Sequence, residues 1–408
     1  MADTDSKKVI IIGAGTTGLA LAQGLKKAAV PFAIYERAPS SASKRNWCFG
    51  LHWGIEPLAK LVPEHLLQNI AQCQVDPHIE LTDEHFRMPL ADAKTGKHIK
   101  NLEGSKFYRF RRDKFRHLLL EGLDVQYGKE ISAITFDDDS TRVTARFVDG
   151  SHDTGSLVVG CDGSRSAVRT LLLGSEKAAL VPVGGYATAM IYANYSREHA
   201  LALRAPPFHP LYQVGLHPDG YLCWFSLHDG GDKDHPENWK FFQYISYEAP
   251  PGHADWSKQQ LVAYQKQLAQ KFGEPWKSAY EWISDDETEV WNTEIRDWDP
   301  RKPENEWDNH SGRVTLAGDS AHPMSFQRGQ GLNNAVQDAY ELFTAIRSFT
   351  NGGGAQAAAI DAYEAEMKAR GGKEVQMSRE NTIMMHSKSQ KDSHLVKQGM
   401  KKQRPPST

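Results

Sequence analysis

Residues 9–24, VIIIGAGTTGLALAQG, restrict the fold more than any other stretch of the chain. Val9 to Ile12 are all apolar and β-branched, as suits a central strand of a parallel sheet buried on both faces. Gly13, Gly15 and Gly18 then spell GxGxxG at the mouth of a helix carrying Leu19, Leu21, Ala22 and Leu25, and PFAIYER supplies a second strand ending in Glu36. This is a complete βαβ unit. The first glycine permits the tight turn, the second lets a pyrophosphate approach the backbone, and the third lets the helix lie close on the strand. Glu36 can accept hydrogen bonds from both hydroxyls of a ribose and repels a 2′-phosphate, so the expected nucleotide is FAD or NAD rather than NADP.

A second glycine-rich turn stands far along the chain in residues 317–335, AGDSAHPMSFQRGQGLNNA, although one nucleotide does not need two phosphate loops. A strand expected from Val314 to Ala317 leads to Asp319, and a helix is expected to start at or near Gly329. Glycines in a first helical turn leave N–H groups open, and the helix dipole makes that end partly positive, so something that becomes negative belongs there. Between the two turns, GCDGSRSAVR follows the apolar run SLVV and sets Asp162 between two glycines. Asp162 can stand at a pyrophosphate, or its Asp-Gly turn can cap the following helix; the segment by itself leaves both readings open.

A chain of 408 residues, 40% of them hydrophobic, has room for two closely associated domains. Its formal charge of -3 gives no basic field to collect nucleic acid or anionic membrane. Cys48, Cys73, Cys161 and Cys223 lie far apart with no CxxC pair, so neither a metal site nor a disulfide framework is expected. The start is polar and no run of apolar residues is long enough to cross a bilayer; the expectation is a cytoplasmic protein, monomeric or homodimeric.

The three motifs, in this order, resemble the class A flavoprotein monooxygenases, the para-hydroxybenzoate hydroxylase-like family, over residues 9 to about 370. The style of LHWG and YRFRRDKFR is similar to that of fungal members that tailor secondary metabolites. The resemblance implies an α/β fold, a Rossmann-like FAD-binding domain with an inserted antiparallel-sheet substrate domain. It implies that Gly13, Gly15, Gly18 and Glu36, with the adjacent Arg37, hold the ADP half of FAD, and that Asp162 serves the pyrophosphate. Asp319 would bind the ribityl chain, and Gly329, Gly331, Leu332 and Asn333 would cover the isoalloxazine. The two glycine-rich turns would then hold opposite ends of one extended dinucleotide. Arg112, with Phe115 behind it, takes the register of the family's phosphate-reaching arginine; the alternative is a solvated basic helix start beside Arg109, Arg111 and Arg116. Arg45 and Gly50 fit the family's segment beside the flavin loosely, flanked by Trp47 and Trp53, which puts His52 near the reacting centre as a catalytic candidate or as a satisfied loop histidine. Phe326 stands where relatives carry proline, and Arg328 where a small residue is common.

Segments such as YATAMIYANYS, GYLCWFSLHD and NWKFFQYISYE have strand length and turn punctuation, so residues 172–307 are expected to form a substrate domain between the two parts, 1–171 and 308–386, of the FAD-binding domain. Tyr192, Tyr212, Trp224 and Phe326 are the expected pocket residues; alternation allows only one face of GYLCWFSL to line a pocket, and sequence does not choose which. Residues 281–308 read as a return crossing and 387–408 as a disordered basic tail. The implied activity consumes NAD(P)H and O2 and inserts one oxygen atom into an aromatic or other electron-rich small molecule through a flavin C4a-hydroperoxide. Hydroxylation leads, with epoxidation, Baeyer–Villiger insertion and an oxygen-independent flavin reductase or dehydrogenase as alternatives.

Overall fold

The computed structural model describes residues 7–41, 46–80, 82–83, 87–102, 107–137 and 141–399. One layer is a wholly parallel sheet. Strand β1 (Val9–Ile12) lies between β2 (Phe32–Glu36) and β11 (Leu157–Gly160), with β7 (Val125–Tyr127) outside β2 and β17 (Val314–Leu316) outside β11. All of β1 is buried, as its unbroken apolar run requires. Helix α1 (Thr16–Lys27) buries Leu19, Leu21, Ala22 and Leu25 in the same core. A Cβ on its Gly24 would stand 2.7 Å from Leu61 of α2 (Ile55–Leu61) and 3.1 Å from Phe343 of α9 (Gly331–Thr350), so the glycine sets how closely these helices approach. A short helix, α3 (Glu64–Gln68), follows α2, α4 (Arg112–Leu120) leads into β7, and α5 (Ala167–Leu173) follows β11. Strands β8 (Ile131–Phe136), β9 (Val143–Phe147) and β10 (His152–Gly155) form a three-stranded antiparallel sheet.

The second layer is a seven-stranded roof in the order β16-β12-β15-β14-β13-β4-β5. It comprises β12 (Val181–Asn194), β13 (Tyr212–His217), β14 (Tyr221–Asp229), β15 (Lys240–Glu248) and β16 (Val290–Asp297), to which β4 (Met88–Asp92) and β5 (His98–Leu102) add an earlier segment outside 172–307. β4 pairs parallel to β13; the other pairs are antiparallel. The stretch read as a return crossing first supplies the edge strand β16 and only then crosses, burying Trp298 and Trp307 in the parallel-sheet core.

Register answers the question that alternation left open. Trp224 lies opposite Val214 and Tyr244, Ser226 opposite Tyr212 and Phe242, and Tyr192 opposite Phe242, so these side chains share one face. The other face, with Cys223 and Phe225, is covered by α7 (Lys258–Ala269) and α8 (Trp276–Glu281), beyond the short α6 (Arg197–Ala202). There Gln265 donates to the carbonyls of Ala189 and Ile245 at 2.8 and 3.2 Å. A ribbon of β3 (Cys48–Leu51) and β6 (Tyr108–Arg111) joins the layers: Leu51 and Phe110 belong to the parallel-sheet core, Cys48 and Phe107 to that of the roof.

The C-terminal expectation needs correction over residues 387–399, the described part of 387–408. Helix α10 (Gln356–Met385) is followed not by a disordered tail from 387 but by α11 (His394–Gln398), which buries Leu395 and Val396 in the roof core. Ser393 caps it, and Asn381 Oδ1 accepts from Leu395 N at 2.8 Å. Two apolar residues in one turn are too few to register as helical periodicity, and only the tertiary contact makes them core. Leu395→Ala is expected to cost about 2–5 kcal/mol in chemical unfolding, whereas Lys397→Ala, which loses only an exposed pair with Asp392, should change stability by less than about 0.5 kcal/mol. Equal effects would mean that α11 does not hold the roof. Among the described residues no helix is long and apolar enough to cross a membrane.

Candidate active site

The first loop is shaped by contacts that leave no space for side chains. Gly13 has φ +107, and a Cβ there would meet Cys161 O at 2.5 Å; one on Gly18 would meet Gly13 O at 2.1 Å. Gly15 differs: it is the N-cap of α1, makes no side-chain cap, and the nearest atom to a Cβ would be 3.9 Å away. With no acidic residue in its first turn, α1 offers its free N–H groups and positive dipole end to an anion. Glu36 closes the loop from β2, accepting from Ala14 N and Ala38 N at 2.9 Å each. Arg37 beside it is exposed.

Arg112 sits at the start of α4 with its guanidinium 4.4 Å from the centre of the Trp47 ring, and burial together with Arg116 pulls its pKa down. The arginine that fastens the loop is Arg116, one turn further on, which donates to Ala14 O at 2.7 Å and Ser41 O at 2.5 Å. The four-residue spacing along one helix face was the available signal. Arg45 lies outside the described residues.

Asp162 makes the helix-capping contacts its turn allows. Its Oδ2 accepts from Ala167 N at 2.6 Å and Val168 N at 3.2 Å at the head of α5, and its Oδ1 accepts from Ser166 Oγ at 2.5 Å. Ser320 Oγ also donates to Oδ1, at 3.1 Å, which draws the second and third motifs together. Asp319, next along, is the opposite case. Its side chain is exposed and its carboxylate has no hydrogen-bond partner among the described residues. Desolvation by the surrounding protein pushes its carboxyl up, against the pull of His322 and Arg169 and with the help of Asp338.

The carboxylate lies at the head of α9, since a Cβ on Gly331 would be 3.8 Å from Asp319 Oδ1. The helix begins at Gly331 rather than Gly329, after a tight turn at Phe326–Arg328 and a left-handed Gly329 with φ +64 and open space where its Cβ would be. Gln330 provides no side-chain cap, and the first turn has no acidic residue. Instead Gln330 Oε1 accepts from Trp53 Nε1 at 3.0 Å. Leu332 is half-buried against the parallel-sheet core. Asn333 fastens the whole turn: its Oδ1 accepts from His52 N and Gly54 N at 3.0 and 3.1 Å, and its Nδ2 lies 3.2 Å from Gly50 O and 2.9 Å from His52 Nε2.

His52 Nε2 lies 2.9 Å from Asn333 Nδ2 and 3.4 Å from Gly329 O, while its Nδ1 is buried without a partner among the described residues. Burial, reinforced by Arg328, pushes its pKa down to about 4, so the ring is neutral near neutral pH. Held in this way, the ring braces β3 against the turn. Behind it a second network was not anticipated: His322 Nε2 and Gly318 N both reach Asp338 Oδ2 at 2.6 Å, and Arg370 donates to Asp338 Oδ1 at 2.6 Å.

Of the four expected pocket residues, Tyr192, Tyr212 and Trp224 share one face of the roof and Phe326 meets that face from the glycine-rich turn. Phe326 meets Tyr244 edge-on at 5.4 Å, Tyr212 stacks 6.1 Å from Trp224, and Tyr192 packs against His228, Phe242 and Trp291 at 4.8–5.0 Å. Phe107 links roof to turn, 5.5 Å from Tyr212 and 6.0 Å from His52. Among them stands Arg109, buried, its guanidinium 5.0 Å from the centre of the Trp224 ring.

Residues 276–378 match the family model of the FAD binding domain. The chain is 36% identical to the FAD-dependent monooxygenase cctM of Talaromyces islandicus over 403 residues, 98% of each chain. It is 34% identical to the FAD-dependent monooxygenase phnB of Penicillium herquei, covering 93% of this chain and 91% of that one. The crystal structure of HpxO from Klebsiella pneumoniae complexed with FAD and uric acid has the same fold, with a TM-score of 0.71 at 23% identity over 93% of this chain and 89% of that one.

Proposed function

The chain belongs to the FAD-dependent monooxygenases, and on that premise we propose that it uses a reduced nicotinamide and O2 to hydroxylate a planar aromatic small molecule held between the glycine-rich turn and the aromatic roof. One arrangement carries this reading: two uncapped helix N-termini and Asp319, whose carboxylate has no hydrogen-bond partner among the described residues, on one layer, with Phe326 on the glycine-rich turn meeting a roof that carries Tyr192, Tyr212 and Trp224. The residues present fit FAD. Gly15 leaves open the space a pyrophosphate needs at the head of α1, and Glu36 closes the same loop within reach of a ribose. Asp319 offers its acceptors to the ribityl hydroxyls, and Gly329 and Gly331 let a flat ring approach the backbone.

Bound FAD supplies the redox chemistry, taking two electrons from the nicotinamide and enabling transfer of one oxygen atom of O2. The chain's own part is positioning and shielding. The head of α9 would stabilise negative charge on a ring system bound beside it. Asn333 and neutral His52 hold β3 against the turn, and the aromatic side chains of the roof exclude water from the reacting face. Asp319→Asn is expected to leave the apo protein as stable as wild type or slightly more so, because its carboxylate makes no hydrogen bond among the described residues, while FAD affinity falls about tenfold. Thermal melts of apo protein beside FAD titration check both halves.

The reading is tested by reducing the FAD-loaded protein anaerobically with NADH or NADPH and readmitting isotopically labelled O2 with candidate arenes. One labelled oxygen in a phenolic product supports it. Hydrogen peroxide as the sole product with every arene tried, or no oxygen uptake, overturns it, the latter in favour of an oxygen-independent reductase.

A further inference from the structure

We infer that His386 is a positioning residue for the glycine-rich turn: through the hydroxyl of Ser246 it sets which end of the Gln327 amide the turn presents. The hydrogen-bond chain stands without the monooxygenase reading; its consequence for a cofactor rests on that reading.

Ser378, Thr382 and His386 follow one another at four-residue steps along one face of α10, and that face holds the turn. Ser325 Oγ donates to Ser378 O and Thr382 Oγ1 donates to Ser325 Oγ, both at 2.9 Å. Two residues on, Gln327 Nε2 lies 3.0 Å from Ser246 Oγ of β15, which in turn lies 2.9 Å from His386 Nε2. Ser246 shares the face of β15 that carries Tyr244, and Tyr244 meets Phe326 edge-on, so the chain runs beside the aromatic seam between turn and roof.

Counting donors places every proton. His386 Nδ1 is 2.7 Å from the Thr382 carbonyl, which only accepts, so Nδ1 carries the ring hydrogen and Nε2 of the neutral ring accepts. Ser246 spends its single proton on Nε2. Gln327 must then offer its NH2 group to Ser246, and its Oε1 is left buried with no partner among the described residues. In this state the turn holds a fixed, unanswered acceptor.

A second proton on the His386 ring reverses the chain. Nε2 then donates to Ser246 Oγ, whose own hydrogen must find another acceptor. Leu222 O is 3.4 Å away; turning the Gln327 amide over puts Oε1 where Nε2 now stands, at 3.0 Å, and gives that oxygen a partner. The turn then presents the NH2 group. The other ionisable groups around His386 are occupied or remote. Tyr186 of β12, stacked on the ring at 4.1 Å, is kept protonated by burial and by Glu248; Asp219, in the β13–β14 turn, lies 3.9 Å from both His217 and Lys271; Lys388 is exposed. Burial lowers the His386 pKa against the pull of its bonds to Thr382 and Ser246. The neutral state therefore holds near neutral pH, and the reversal comes below the ordinary histidine value of about 6.5.

The test follows the side-chain amide of Gln327 and the ring nitrogens of His386 by NMR as pH is lowered, in the full chain isotope-labelled in glutamine and histidine, with and without FAD. The Gln327 signals should move over the pH interval in which His386 titrates, and FAD affinity should change by at least about threefold over the same interval. In Ser246→Ala, His386 should still titrate while the Gln327 signals and the FAD affinity no longer follow it. Gln327 signals that ignore His386 overturn the inference, as does an FAD affinity without the pH step. It is also overturned if Ser246→Ala melts lower but keeps both pH profiles, which would make Ser246 only a fastener of turn to roof. Should Ser246→Ala fail to fold, His386→Gln decides: with nothing to titrate at that position, both profiles must be flat. Failure of the wild type to take up FAD would count against the monooxygenase reading alone, because the coupling of Gln327 to His386 is read in the apo chain.

Discussion

Gly15→Ala is expected to fold like the wild type and bind FAD about 100-fold more weakly, whereas Gly18→Ala is expected to lose the fold of the loop together with the cofactor. The difference follows from what each new methyl group would touch. At Gly18 it would stand 2.1 Å from Gly13 O and 3.1 Å from Ile11 Cγ2, inside the turn that joins β1 to α1. Neither neighbour can yield without moving the central strand, so a cost of about 3 kcal/mol or more is expected. At Gly15 the backbone is extended, with φ -80 and ψ -176, which alanine adopts freely, and the nearest protein atom would be 3.9 Å away. The methyl group of Gly15→Ala therefore occupies only the space at the head of α1 that a pyrophosphate would need. Unfolding midpoints of the apo proteins and flavin content after reconstitution separate the two effects. Wild-type FAD affinity in Gly15→Ala would show that α1 does not receive the pyrophosphate.

These glycines were legible in the sequence because their requirement is local: a turn, a close approach and a helix start lie within ten residues of one another. Asp319 and Asn333 were legible as members of a motif. What each does required the structure, since the exposed Asp319 has no side-chain hydrogen bond among the described residues while Asn333 spends its amide on β3. Residues whose role depends on distant elements meeting were not legible. Arg109 and Arg116 lie in one basic run of the sequence, yet one turns to the roof and the other to the first loop, because the first is on a strand and the second on a helix. The faces of β14 were undetermined for the same reason: alternation divides a strand into two sets, and only the helices packed on one side determine which set remains for the chamber. α11 was missed because its core is borrowed from the roof.

Asp338→Asn is expected to destabilise the protein by roughly 3 kcal/mol near neutral pH, by an amount that depends on pH in a defined direction. Asp338 is buried on α9 and accepts from Gly318 N, His322 and Arg370; α10 comes so close that a Cβ on Gly371 would lie 2.4 Å from the His322 ring. Removing the charge leaves His322 and Arg370 facing each other, with Glu366 still paired to Arg370, which keeps the loss near the lower end for a broken buried pair. Burial would raise the Asp338 carboxyl, but His322 and Arg370 together hold it below the usual carboxylate range. Its contribution is therefore present above the unfolded carboxylate value of about 3.9 and is lost as pH falls through the lower folded value. Burial would lower His322, but the Asp338 charge and hydrogen bond raise it above the ordinary histidine value. That contribution is complete below about 6.5 and is lost as pH rises through the raised folded value. The stability gap between wild type and Asp338→Asn should thus be widest between these two limits and narrow toward the alkaline side without closing, since Arg370 stays charged. Urea unfolding of both proteins at pH values spanning the window measures it. A gap that does not vary with pH would mean that His322 is neutral throughout and that Arg370 alone answers Asp338. Because Asp338 also holds Gly318 N, the turn that presents Asp319 loosens with the network, and FAD affinity in Asp338→Asn should fall over the same pH range in which its stability does.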